Sequence, residues 1–146
     1  MFSRILVAVD DSPQAASALD LAIDLAKALK ASITLVHAID PGAIAAAASD
    51  AAAASVMEIE MDELQAAAKE LLEATAAQVR AAGIEVESTL RDGIPAATIL
   101  DTAKRADADL IVIGTHGRHG VARLFLGSCA ETVLRESPIP VLVKRS

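Results

Sequence analysis

Short β-branched runs separated by longer stretches of helical spacing recur along this chain, and that alternation restricts the fold more than any other feature. Arg4 to Val9, Ser32 to Ile39, Ile84 to Leu90, Leu110 to Ile113 and Pro140 to Val143 read as strands. Helices fill the gaps. Ser12 followed by Pro13 supplies an N-cap and a first-turn proline, after which Leu19, Ala22, Ile23, Ala26 and Leu29 recur at helical intervals. A second helix carries Met61, Leu64, Ala68, Leu71, Leu72, Thr75 and Val79 on one face and ends at Gly83, where glycine allows the left-handed turn that closes many helices. Pro95 opens a third, with Ile99, Leu100 and Ala103 inward.

Strand, helix, strand in repetition implies right-handed crossovers and a parallel sheet covered on both faces, a doubly wound α/β fold of five strands. The expected strand order is 3-2-1-4-5, which puts a ligand crevice between the first and fourth strands, beyond their carboxyl ends. Asp10 ends the first and Gly114 ends the fourth. At 146 residues the chain reads as a single domain, 1–146, long enough to bury roughly two-thirds of its unfolded surface. Gly42 to Ser55 is mostly alanine with no periodic apolar face; it reads as a mobile loop, a lid or an extra alanine-rich helix.

Twenty acidic against 13 basic side chains give a net charge of -7, whose repulsive field opposes nonspecific binding to nucleic acid or an anionic membrane. No apolar run is long enough to span a bilayer, and Ile5 to Val9 is too short for a secretion signal. A cytoplasmic protein is expected. The single cysteine, Cys129, fits a reducing compartment and reads first as a small buried hydrophobe.

Between Gly114 and Ser128 the sequence is GTHGRHGVARLFLGS: two residues separate Gly114 from Gly117, and nine separate Gly117 from Gly127. The segment joins a strand to a helix, where backbone N–H groups and a helix N-terminus converge on an anion. His116, Arg118, His119 and Arg123 lie within it, and no acidic residue occurs between Asp109 and Glu131. In an acidic chain this is a local basic island.

The familiar nucleotide motifs are missing: no GxGxxG follows the first strand, and no Gly-Lys-Ser/Thr ends the glycine segment. What is present is ILVAVDDS at the start, TLVHAID at the second strand, DGIP before the third helix, and GTHGRHGVARLFLGS followed by PIPVLVKRS. Together these resemble the universal stress protein family, and the paired glycines resemble its ATP-binding subgroup. The resemblance implies a Rossmann-like, adenine nucleotide alpha-hydrolase-like fold. It implies that Gly114, Gly117, Gly127 and Ser128 form a phosphate and ribose loop, that Asp10 is the acidic residue ending the first strand, and that adenine meets the main chain at Ala38. It also implies a stress-responsive regulator whose nucleotide occupancy changes contacts with protein partners, and a homodimer joined through the edge strand Val141 to Val143.

Physical roles can be argued beside it. Glycine N–H groups and the Ser128 hydroxyl donate to phosphate oxygens, and Arg118 adds charge or solvates the segment. Asp10 repels phosphate, so it accepts from ribose hydroxyls, holds an optional magnesium ion through water, or caps the helix at Pro13. Ser128 stands three residues before Glu131, a capping-box pattern, so it serves structure, ligand or both. His37 and His116 could join Asp10 at a metal, although no close ligand pair such as HxxxH or CxxC occurs. No general base or nucleophile elbow stands out, so the chain is at most a slow ATPase. Two other readings remain: a nucleotide-free dimeric scaffold, and an adenylate-transferring enzyme that lacks the Ser-Gly-Gly loop expected after its first strand.

Overall fold

The computed structural model describes residues 1–42, 51–115 and 127–145, with 51–59 as backbone alone. The elements run β1 (Arg4–Ala8), α1 (Pro13–Leu29), β2 (Ser32–Ile39), α2 (Ala51–Ala81), β3 (Val86–Asp92), α3 (Pro95–Arg105), β4 (Leu110–Gly114), α4 (Ser128–Glu136) and β5 (Val141–Lys144). All neighbouring strands are parallel and the order is β3-β2-β1-β4-β5. The doubly wound sheet expected from the alternation is therefore present, with its order reversing between β1 and β4.

Period-two alternation in the strands feeds two cores. Ile5 and Val7 of β1, Ile33 and Leu35 of β2, and Leu110 and Val112 of β4 pack under α1 and α2. Leu6, Val36, Ile111 and Ile113 point the other way, onto Ile99 and Ala103 of α3 and Ala130 and Val133 of α4. Both faces of the central strands are buried, which explains why they read as unbroken aliphatic runs.

Ser12 caps α1: its Oγ accepts from the Ala15 N–H at 3.1 Å, and Pro13, with no N–H to satisfy, opens the first turn. The helix closes at Lys30, whose φ of 55° is left-handed and whose N–H donates to the Ala26 carbonyl. Leu29, which follows the same helical spacing as the buried Leu19, Ala22, Ile23 and Ala26, is 38% exposed, because it is the last helical residue before that turn. At the amino end of β1, Asp109 accepts from Ser3 N–H and Oγ–H through Oδ2 and from Arg4 N–H through Oδ1, at 2.9–3.0 Å. Burial opposes its charge, but the hydrogen bonds from Ser3 and Arg4 prevail and hold its carboxyl below the usual carboxylate range.

Two expectations shift. Strand β3 begins at Val86 rather than Ile84, since the Ile84 N–H turns back to the Val79 carbonyl and Gly83, at φ 79°, closes the helix. Helix α2 begins at Ala51, well before Met61, so the end of the alanine-rich stretch is helical and 43–50 lies outside the described residues. Its 31 residues span about 46 Å, whereas the eight residues of β2 span about 26 Å. Burial in α2 accordingly starts at Ala68 among the described side chains, and Met61 and Leu64 remain partly exposed. No helix is long and apolar enough to cross a membrane among the described residues.

Gly114 has a packing reason to be glycine. A Cβ there would lie 2.8 Å from the carbonyl oxygen of Gln14 and 2.9 Å from its carbon, backbone atoms of the first turn of α1 that cannot rotate aside. Gly114→Ala should lower the unfolding free energy by about 1–3 kcal/mol through overpacking. Urea denaturation followed by circular dichroism measures it; a loss below roughly 0.5 kcal/mol would show that α1 shifts freely.

Candidate functional site

A cleft of about 400 Å³ opens at the carboxyl ends of the strands, where the sheet order reverses. It is lined by Asp10 after β1, His37 and Ala38 of β2, Gly114 and Thr115 at the end of β4, and Gly127, Ser128 and Cys129 at the start of α4. Five of the seven residues expected at a ligand site, Asp10, Ala38, Gly114, Gly127 and Ser128, thus line one cavity. Gly117 and Arg118 lie outside the described residues, as do His116, His119 and Arg123. A wider depression of about 840 Å³ lies at the opposite ends of the strands, where Lys27 and Lys30 mix with Glu85 and Glu87. The smaller cleft is the better candidate because it sits at the switch point and gathers main-chain donors.

Asp10 ends β1 by an Asx turn: Oδ1 accepts the Ser12 N–H at 2.7 Å. The capping of α1 belongs to Ser12, so Asp10 supports the cap without being it. Its second oxygen is the atom with which it can accept from a ligand hydroxyl.

Ala38 reaches the cleft through its main chain. In β2, Ser32 and Val36 bond toward β1, while Ile33 and Ile39 bond toward β3. By the same parity Ala38 turns its N–H and C=O toward β1, which stops at Ala8, in register with Val36. A donor and an acceptor on one residue therefore face the gap. Beside them the His37 ring, through Nδ1, sits 2.5 Å from the Val9 carbonyl oxygen.

The start of α4 differs from the capping box expected at Ser128 and Glu131. Gly127 is the N-cap, with φ -59° and ψ 153°, and makes no side-chain cap; Ser128 is already helical. A serine cap needs extended backbone at the serine itself, and here that conformation falls one residue earlier. Glu131 instead sits 3.6 Å from Arg135 one turn on. The Glu131 N–H takes the Gly127 carbonyl at 2.9 Å, so the N–H groups of Ser128, Cys129 and Ala130 have no partner within the helix. Among the described residues no side chain caps this helix N-terminus, whose partial positive charge faces the cleft. Just outside it, the Gly127 N–H donates to the Thr115 carbonyl at 2.6 Å, tying the start of α4 to the end of β4.

Cys129 is half-buried in the cleft wall. Burial first, and the negative charge of Asp10 second, push its thiol above the ordinary cysteine range. Its place in the first turn of a helix does not win against those two effects. No three His, Cys, Asp or Glu side chains converge on a cation among the described residues. Thr115 and Cys129 were not singled out as ligand-site residues from sequence; Thr115 follows a strand-terminal glycine, which is the signal that could have found it.

Comparison with known proteins agrees with this fold. The universal stress protein family matches residues 1–145. Universal stress protein YxiE of Bacillus subtilis is 34% identical over 99% of this chain and 100% of its own. The structure of UspA from Lactobacillus plantarum is similar, with a TM-score of 0.85 and 29% identity, covering 99% of this chain and 98% of that one. A universal stress protein from Archaeoglobus fulgidus in complex with dAMP aligns with a TM-score of 0.66 at 27% identity, over 98% of this chain and 97% of that one. With the sheet order, the cleft at its switch point and a match spanning nearly every residue, the chain belongs to the universal stress protein family.

Proposed function

We propose that this chain is an ATP-binding stress-response regulator of the cytoplasm that holds its nucleotide and hydrolyses it slowly or not at all. The carrying observation is the convergence, in one cleft, of the Asp10 carboxylate, the Ala38 main chain and the uncapped start of α4. Each suits one part of an adenine nucleotide. The Ala38 N–H and C=O match the acceptor and donor on the edge of adenine, Asp10 matches ribose hydroxyls, and the α4 N–H groups with the Ser128 hydroxyl match phosphate oxygens. Gly117 and Arg118 complete the phosphate end in this reading. Magnesium, when bound, neutralises phosphate charge; its ligands come mainly from phosphate and water, with Asp10 the contribution of the protein. The relative with dAMP supports an adenine nucleotide as the ligand class.

The absence of tryptophan and tyrosine makes retained nucleotide easy to see, because a strong band near 260 nm then reports ligand. Purified protein is expected to show that band or to bind ATP with magnesium in calorimetry, and failure of both sinks the proposal. Asp10→Asn keeps an oxygen for the Ser12 N–H but removes the charge. It should weaken ATP binding roughly tenfold, the size of one charge-assisted hydrogen bond, with little loss of stability.

Alkylation of Cys129 offers a second readout at the same cleft. Because its pKa is raised, reaction with iodoacetamide at neutral pH should be slower than that of a free cysteine and should accelerate as pH rises. Asp10→Asn should speed it, and saturating ATP should slow it. Equal rates with and without ATP would place the nucleotide elsewhere.

We further propose a homodimer through Val141 to Val143. Among the described residues strand β5 is a sheet edge, paired only with β4 and half-buried along its length, and an apolar edge invites a second copy. Light scattering at micromolar concentration should give twice the chain mass; a monomer refutes it. The alternative, a nucleotide-free dimeric scaffold, draws support from one observation, that Gly114 is already explained by its contact with Gln14.

A further inference from the structure

The rung missing between β1 and β2 is filled by a side chain. The Val9 N–H donates to the Val36 carbonyl at 2.8 Å, as a parallel ladder requires. The next rung of that ladder runs from the Ala38 N–H to the Val9 carbonyl. It is not formed: the register ends at Ala8 and Val36, and the Val9 carbonyl accepts from His37 Nδ1 instead. A carbonyl oxygen can only accept, so the proton is on Nδ1.

We propose that His37 is a positioning residue for the nucleotide: by occupying the Val9 carbonyl it keeps the sheet from zipping one rung further and reserves the Ala38 N–H for the base. This rests on the reading of Ala38 as the adenine contact, but its local content does not need a ligand. Were residue 37 apolar, the Val9 carbonyl would lose its donor beside an open cleft, and the Ala38 N–H would be the nearest replacement. Satisfying a stranded carbonyl is worth about as much as an ordinary hydrogen bond, which suffices to pull β2 against the end of β1. The base would then find its donor taken. His37 thus acts on recognition without touching ligand, by choosing which of two acceptors, carbonyl or base, the Ala38 amide serves.

Two measurements on ligand-free protein and one with ligand test this. In the wild-type chain, long-range nitrogen–proton NMR should report the Nδ1–H tautomer for His37. Amide exchange at Ala38 should be at least about tenfold faster than at Val36, whose amide lies within the sheet ladder. An Nε2–H tautomer, or an Ala38 amide as protected as Val36, overturns the proposal without reference to ATP or to any variant. His37→Phe should slow Ala38 exchange and weaken ATP binding about tenfold, whereas His37→Asn, whose side-chain N–H can still donate, should recover much of both. Unchanged Ala38 exchange in a folded His37→Phe protein also overturns it. If wild-type protein binds no ATP while the tautomer and exchange results hold, the nucleotide reading fails and the account of the missing rung survives.

Discussion

The middle strand of the sheet is shorter at its carboxyl end than the strands beside it, and the cleft exists because of that difference. Strand β1 stops at Ala8, while β2 continues to Ile39 and β4 to Gly114. The causes are local and lie in four consecutive residues. Asp10 folds back onto the Ser12 N–H, Ser12 caps α1, and Pro13 has no N–H with which to extend a ladder. Chain leaving β1 therefore turns at once into α1, and with the Val9 carbonyl taken by His37 Nδ1 the main chain of β2 loses its partner at the level of Ala38. The same turn that starts a helix thus opens a site.

Gly114 ties the far wall of the cleft to that turn. The first turn of α1 rests on the end of β4 so closely that a methyl group on Gly114 would meet the Gln14 backbone. A shift of α1 therefore moves both walls together, Asp10 on one side and Thr115 on the other. Thr115 in turn receives the Gly127 N–H, which sets where α4 begins. A chain of backbone contacts runs from the end of β1 through Gln14, Gly114 and Thr115 to Gly127, so the packing of α1 fixes the relation between the carboxylate and the helix N-terminus.

Much of this was legible in the sequence, and the exceptions have physical reasons. The parallel, doubly wound sheet followed from alternation, and with its order taken as 3-2-1-4-5 the position of Asp10 across the crevice from Gly114 followed too. Boundaries failed where backbone hydrogen bonds compete: Ile84 is as β-branched as a strand residue, yet its N–H closes α2. Periodicity also set Met61 and Leu64 on the same face as Ala68 and Leu72, yet they stay partly exposed, because spacing records which face of a helix is apolar and not how far the helix outruns the sheet beneath it. At Ser128 the capping-box pattern matched in spacing but not in register, since the extended residue is Gly127. The role of His37 was hidden because pattern reasoning treats a histidine as a ligand or a bystander, whereas here its partner is a carbonyl on the neighbouring strand.

Net charge argues against anion binding and local structure argues for it, and distance decides between them. A total of -7 is felt by a phosphate far from the surface, but screening at physiological salt weakens that repulsion beyond about 8 Å. Within the cleft the relevant groups are the N–H dipoles at the start of α4 that have no partner within the helix, a few ångströms from whatever sits there. Asp10 is the exception, a negative charge in the same cavity, and its charge reaches Cys129 strongly enough to help raise that thiol. On the proposed nucleotide reading, a phosphate at the helix N-terminus keeps away from Asp10, and the ligand lies along the cleft with its uncharged hydroxyls toward β1. The carboxylate thus contributes direction as well as contact: it sets which end of the cleft the anionic group can occupy.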